Sequence, residues 1–130
     1  MIYILLNLAP IMGATLCGLA IGYGWHRLSR AQPIGAGTAA LALVGEFWLA
    51  AILAGALILA PPKADPWVMA VASAVVIWAG FVAPAVAISL AHRGVAARGV
   101  AGTVLHWLAV MVVQAVVMKA IGLVPPPPGS

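Results

Sequence analysis

Three side chains in long apolar stretches of this sequence are candidates for chemistry. Glu46 lies in the second apolar stretch, and His106 and Gln114 lie in the fourth. An ionisable group within such a segment is costly and marks a candidate functional site. Glu46 and His106 are expected about 13 Å and about 9 Å from the same end of their helices, close enough in depth to hydrogen bond. They could then relay protons or bind a cation, whereas the alternative, which we favour, is a buried polar clamp or a Glu46 that stays uncharged.

Other kinds of chemistry find little support in the sequence. Three histidines together with Glu46 supply metal-ligand residue types, but their spacing matches no recognised ligand pattern. Haem held between two helices needs two facing histidines, and His106 has no such partner at its depth. Cys17 is the only cysteine and is expected to pack as a small hydrophobe. We therefore expect no metal and no cofactor, and the absence of catalytic motifs predicts a protein that is not an enzyme.

The composition defines the class of protein that must position these residues. Of 130 residues, 65% are hydrophobic, six are Lys or Arg and two are Asp or Glu. A soluble domain carries roughly a quarter charged residues, so a soluble globular domain is excluded, as is intrinsic disorder. The net charge of +4 lies in short turns and forms no basic stripe, so we expect no nucleic acid partner. The sequence predicts an all-α polytopic membrane protein.

Four apolar stretches are long enough to cross a bilayer, which takes about 20 residues. The predicted helices cover residues 2–25, 37–60, 67–91 and 100–124. Their short connections predict an up-down bundle, and residues 1–124 form a single transmembrane domain. Asp65-Pro66 is typical of an N-cap followed by the first helical residue. Residues 125–130 form a proline-rich tail, expected to be a short polyproline II extension.

The basic residues of the turns predict an orientation, because cytoplasmic loops are enriched in Lys and Arg. The first and third turns contain Arg27, Arg30, Arg93 and Arg98, whereas the other side has Lys63 and Lys119. This places the first and third turns in the cytoplasm. We expect a multi-pass protein of the bacterial inner membrane with both termini outside.

Small residues at four-residue spacing predict close helix contacts. Gly18 and Gly22 lie on one face of the first helix. The third helix carries a similar stripe, formed by Ala79, Ala83 and Ala87. These faces either pack within the bundle or form a seam with a second copy or another membrane subunit. Pro84 should kink the third helix. The kink is either a gating hinge or only a fixed bend in the shape of the helix.

The stretch from Ile77 to Pro84, with the sequence IWAGFVAP, resembles a family of small bacterial membrane proteins, domain of unknown function 1761. His106 stands where that family has a histidine in its fourth helix, and Gly22-Tyr23-Gly24-Trp25 before a basic turn is similar to the end of the family's first helix. The resemblance implies a four-helix polytopic protein and no particular activity.

Two functions follow from these features as expectations. The first is a non-enzymatic accessory or structural subunit that lies in the lipid bilayer and packs against other membrane proteins or against itself. The second is a small transporter or proton-linked carrier that uses the intramembrane pair Glu46 and His106.

Overall fold

The computed structural model describes residues 2–29 and 33–129, and these ranges contain helices and no strand. Four helices are long and apolar enough to cross a membrane: α1 (Leu8–Leu28), α2 (Ala36–Leu59), α3 (Pro66–His92) and α4 (Ala97–Ile121). A five-residue helix, Ile2–Leu6, precedes α1. The predicted all-α architecture with four transmembrane helices is confirmed. Arg30, one of the four arginines used to predict orientation, lies outside the described residues.

The start of α3 forms as the sequence indicates. The Oδ1 atom of Asp65 accepts a hydrogen bond of 2.9 Å from the backbone N–H of Trp67. Pro66 occupies the first helical position, where the missing N–H costs nothing because no acceptor exists for it within the helix. The N-cap predicted from the Asp-Pro pair is confirmed.

Two glycines with positive φ set the ends of α3 and α4. Gly94 has φ of 78°, and the N–H groups of Gly94 and Val95 bond to the last carbonyls of α3, in a Schellman motif. Gly122 has φ of 103° and directly follows α4. The fourth helix was predicted over 100–124, whereas it covers Ala97–Ile121, because Gly122 takes the chain out of the helix ahead of the prolines.

Prolines change the first and third helices in different ways. Pro10 cannot donate to the carbonyl of Leu6, and the first helix, predicted as continuous over 2–25, is interrupted at Asn7, with φ −116° and ψ 28°. Pro84 is preceded by a π-helical turn, Trp78–Val82, in which the N–H of Ala83 bonds to the carbonyl of Trp78. The disturbance predicted at Pro84 therefore takes the form of a widened turn inside α3.

Helices α1 and α4, the first and the last in the chain, pack against each other in antiparallel orientation. Gly13, near the start of α1, faces Ile121 at the end of α4, and Gly102, near the start of α4, faces Trp25 near the end of α1. Helix α4 contacts the three others, whereas α1 and α3 do not contact each other within the described part of the chain. Helices α2 and α4 therefore occupy the short diagonal of the bundle, and α3 lies at its edge.

The core is formed mainly by α1, α2 and α4. Its buried members are small or flexible side chains: Ile11, Ala14, Ala50, Ala51, Leu53, Ala54, Ala74, Met111, Ala115 and Met118. Alanines let helix backbones approach closely, which is how helices associate when lipid is as apolar as their own side chains. This close approach brings the polar residues of α2 and α4 against α1.

Candidate functional site: a buried polar cluster

Glu46 of α2 and Gln114 of α4 meet at Gly18 of α1. Their side chains are 5% and 0% exposed. A Cβ atom added to Gly18 would lie 2.5 Å from Oε2 of Glu46 and 3.0 Å from Nε2 of Gln114. One small volume beside the α1 backbone is therefore occupied by the ends of two polar side chains from two other helices. We call these three residues the polar cluster.

The polar atoms of the polar cluster are short of partners. Oε2 of Glu46 and both amide atoms of Gln114 are buried without a hydrogen bond partner. A buried polar atom left unpaired costs about 1–3 kcal/mol, and more if it is charged. Such groups are rare in folded proteins, and each of them calls for an explanation. The cluster is therefore the place in the described bundle where unpaired polar atoms come together.

Helix direction makes the two side chains lean toward the same end of the bundle, and the missing side chain of Gly18 leaves room for them. In an α-helix the Cα–Cβ bonds tilt toward the N-terminus. Helices α2 and α4 both begin at the end of the bundle where α1 ends, so Glu46 and Gln114 lean the same way. Gly18 supplies the space, since a larger residue would fill the volume that the carboxylate occupies. Gly22 lies one turn further along α1, and a Cβ atom added to it would lie 3.7 Å from Oε1 of Glu46.

His106 contacts Trp25 and not Glu46, the partner that the sequence suggested. Its ring stacks on Trp25 of α1, with ring centroids 5.3 Å apart and an interplanar angle of 22°. Glu46 and His106 share no hydrogen bond or ion pair in residues 2–29 and 33–129, and the end of the Glu46 side chain lies beside Gly18. The hypothesis that Glu46 pairs with His106 is therefore not supported, because Trp25 lies against His106.

The two predicted small-residue stripes have different surroundings. In α1, Gly18 is buried and Gly22 is half-buried, so this stripe faces the bundle interior. In α3, Ala83 and Ala87 are half-buried, whereas Ala79 is exposed. The α1 stripe therefore packs within the bundle, and the α3 stripe is partly open at its edge.

A tryptophan joins α3 to α4. The indole Nε1–H of Trp78 donates a hydrogen bond of 2.9 Å to the backbone carbonyl of Val104. An indole N–H in an apolar segment needs an acceptor, and here the acceptor is a carbonyl of the neighbouring helix. Since Trp78 begins the π-helical turn, the widened turn and the interhelical bond occur at the same level of α3.

The opposite end of the bundle has a polar contact that sequence reasoning missed. Asn7 donates through Nδ2 to the carbonyl of Val124 at 2.8 Å, and its Oδ1 accepts from the N–H of Val124 at 2.6 Å. Tyr3 donates through its hydroxyl to the carbonyl of Ala51 at 2.9 Å. The sequence analysis could not predict this contact, because no sequence signal connects Asn7 to a residue near the other end of the chain.

Metal binding has no geometric support in the described residues. No group of three or more His, Cys, Asp or Glu side chains there is placed to hold a metal ion. His26 lies about two turns beyond Gly18 on α1, and His92 ends α3. The chemistry available at the cluster is therefore that of one carboxyl group and one amide.

The fold and the polar cluster define the class: a multi-pass helical membrane protein with one buried acidic residue. Comparisons of the chain with protein-family models, with curated proteins and with solved structures give no match. The resemblance to domain of unknown function 1761 therefore stays a prediction.

Proposed function

We propose that this chain is a non-enzymatic accessory or structural subunit of the bacterial inner membrane, which packs through α3 against another membrane helix. The supporting observation is the low burial of α3. Within its most apolar window 6% of residues are buried, against 22–28% in the three other helices. A helix held to its own bundle along so narrow a face has most of its surface left for a neighbour.

The outer face of α3 is suited to close packing. Ala79 and Gly80 are exposed, and a Cβ atom on Gly80 would meet nothing within 4 Å. Small residues at such a face let a second helix approach its backbone. The neighbour is a helix of another subunit or of a second copy of this chain.

The orientation proposed for this subunit has both termini outside. Arg27, Arg93 and Arg98 lie at one end of the bundle, and Lys63 and Lys119 lie at the other. The greater number of arginines supports a cytoplasmic location for the first end. The partner would then meet α3 with the His92 end of that helix at the cytoplasmic surface.

A matched pair of variants tests the role of α3. Gly80→Leu adds bulk to α3, and Gly45→Leu adds the same bulk to α2, where the glycine is also exposed and open. We expect the chain to purify from native membranes in mild detergent within a larger assembly. Gly80→Leu should dissociate that assembly, and Gly45→Leu should leave it intact. Equal behaviour of the two variants, or a monodisperse monomer, would contradict the proposal.

A second function, a small proton-linked carrier, is supported by the polar cluster. The observation that supports a carrier is that unpaired buried atoms of Glu46 and Gln114 lie together beside Gly18. In that case Glu46→Gln, with expression intact, abolishes a flux measured in proteoliposomes. A Glu46→Gln variant that changes thermal stability alone rejects the carrier.

A further inference from the structure

A cleft of about 390 Å³ opens at the end of the bundle where α2 finishes and α3 begins. Its walls are the last turn of α2, the connection to α3, the first turns of α3 and the end of α4. Small residues leave the space open, because Ala60, Ala64 and Ala70 carry no side chain long enough to fill it. The cleft therefore follows from the sequence of the connection.

The walls of the cleft are stiff. Pro61, Pro62 and Pro66 line it, and each proline fixes its own φ near −65°. Gly122, with φ of 103°, turns the chain so that Leu123 and the tail form the remaining wall. A cleft with such walls needs little ordering when a ligand enters, which favours binding.

Lys119 brings one positive charge to the wall of the cleft. Among the described residues it is the only charged one that lines the cleft, and the others are aliphatic residues, Met69, prolines and glycine. The ammonium of Lys119 lies 5.6 Å from the ring centroid of Trp67. Asp65, the only acidic residue besides Glu46, accepts the N–H of Trp67 at the start of α3. In the described ranges no carboxylate neutralises Lys119.

We propose that this cleft binds an anionic amphiphile of the membrane interface, with the anionic headgroup on Lys119 and an acyl chain along the apolar wall. The proposal rests on the combination of a positive charge with an apolar wall in one cleft. A free anion would gain nothing from the apolar wall, and an uncharged acyl chain would gain nothing from the ammonium. A Lys near the bilayer surface favours an anionic over a zwitterionic lipid by about fivefold, or about 1 kcal/mol. The site is independent of the contact through α3.

Bromine quenching of tryptophan tests the proposal with the full-length chain in vesicles. The probes are dibrominated phosphatidylglycerol and dibrominated phosphatidylcholine, each diluted into unbrominated phosphatidylcholine. The emission of Trp67 is obtained by subtracting the spectrum of the Trp67→Phe variant from that of the unchanged protein. Trp67 is the reporter because it lies beside Lys119. Circular dichroism and gel filtration confirm that each variant folds.

We expect the anionic probe to quench Trp67 at about fivefold lower mole fraction than the zwitterionic probe. The preference should be lost in Lys119→Gln and kept in Lys119→Arg. It should also be kept in Lys63→Gln, which removes a positive charge from the connection between α2 and α3 at a residue that does not line the cleft. Equal quenching by the two probes, or equal effects of Lys119→Gln and Lys63→Gln, overturns the proposal. Release of the quencher by inorganic phosphate overturns the role of the acyl chain.

Discussion

Replacing Gly18 with alanine is the sharpest perturbation of the polar cluster. The added methyl group would lie 2.5 Å from Oε2 of Glu46 and 3.0 Å from Nε2 of Gln114, so the side chains must move. Glu46 is packed among buried residues of three helices, and its displacement disturbs all of them. We therefore expect Gly18→Ala to destabilise the bundle although alanine is the better helix former.

The magnitude follows from two opposing effects. Overpacking a buried site costs about 1–3 kcal/mol. Alanine in place of glycine inside a helix contributes up to about 1 kcal/mol of stability. The net expectation is a loss of about 1 kcal/mol, within a range of about 0–2 kcal/mol. In a Glu46→Ala background the nearest obstacle is gone, so Gly18→Ala should stabilise by up to about 1 kcal/mol.

The assay is reversible unfolding in mixed micelles, followed by far-ultraviolet circular dichroism as the fraction of denaturing detergent rises. The coupling between the two substitutions should be about 1–3 kcal/mol. Gly24→Ala is the matched control on the same helix, because a Cβ atom there meets nothing within 4 Å. If Gly18→Ala has the same effect with and without the Glu46 side chain, the two residues do not contact each other and the polar cluster is refuted.

Three further substitutions test other contacts with the same unfolding assay. Asn7→Ala removes two hydrogen bonds to the backbone of Val124, each worth about 0.5–1.5 kcal/mol, and should cost about 1–3 kcal/mol in total, with faster amide exchange at Val124; unchanged exchange would show that this contact does not form. Trp78→Phe removes the bond to Val104 and should cost about 0.6 kcal/mol, a typical interhelical hydrogen bond in a membrane; a neutral effect would show that the indole is not anchored. Gly94→Ala forces a side chain into φ of 78° and should cost about 1–2 kcal/mol, whereas an unchanged midpoint would contradict the turn geometry.

The sequence predicted the number of membrane-spanning helices, and the bounds of the second and third to within one residue, for simple reasons. Long apolar runs separated by short polar turns leave only one class of structure, and the Asp65-Pro66 pair marks the start of α3 through chemistry that is local. The interruption at Asn7 was not predicted, and the first helix was expected to run unbroken over residues 2–25. The reason is that Pro10 removes a bond to a residue four positions earlier, so its effect appears ahead of it in the chain.

The members of the polar cluster were singled out from the sequence, but their arrangement was not predicted, because the expected partner of Glu46 was His106. Glu46 and Gln114 were identified because polar residues in apolar helices are rare. Their meeting at Gly18 depends on which helices are adjacent and on their vertical offset, and neither quantity is encoded locally. His106 has a similar depth to Glu46 but lies against Trp25, which shows that depth along the helix does not determine which residues face each other.

Site-specific photo-crosslinking in native membranes tests the central claim, that α3 contacts a partner, most directly. Phe81 on α3 and Leu41 on α2 are 75% and 73% exposed, so a photoreactive amino acid at either position leaves the bundle undisturbed. A partner at α3 predicts a discrete protein adduct from position 81 and only lipid adducts from position 41. Lipid adducts alone from both positions, or the same protein adduct from both, would contradict it.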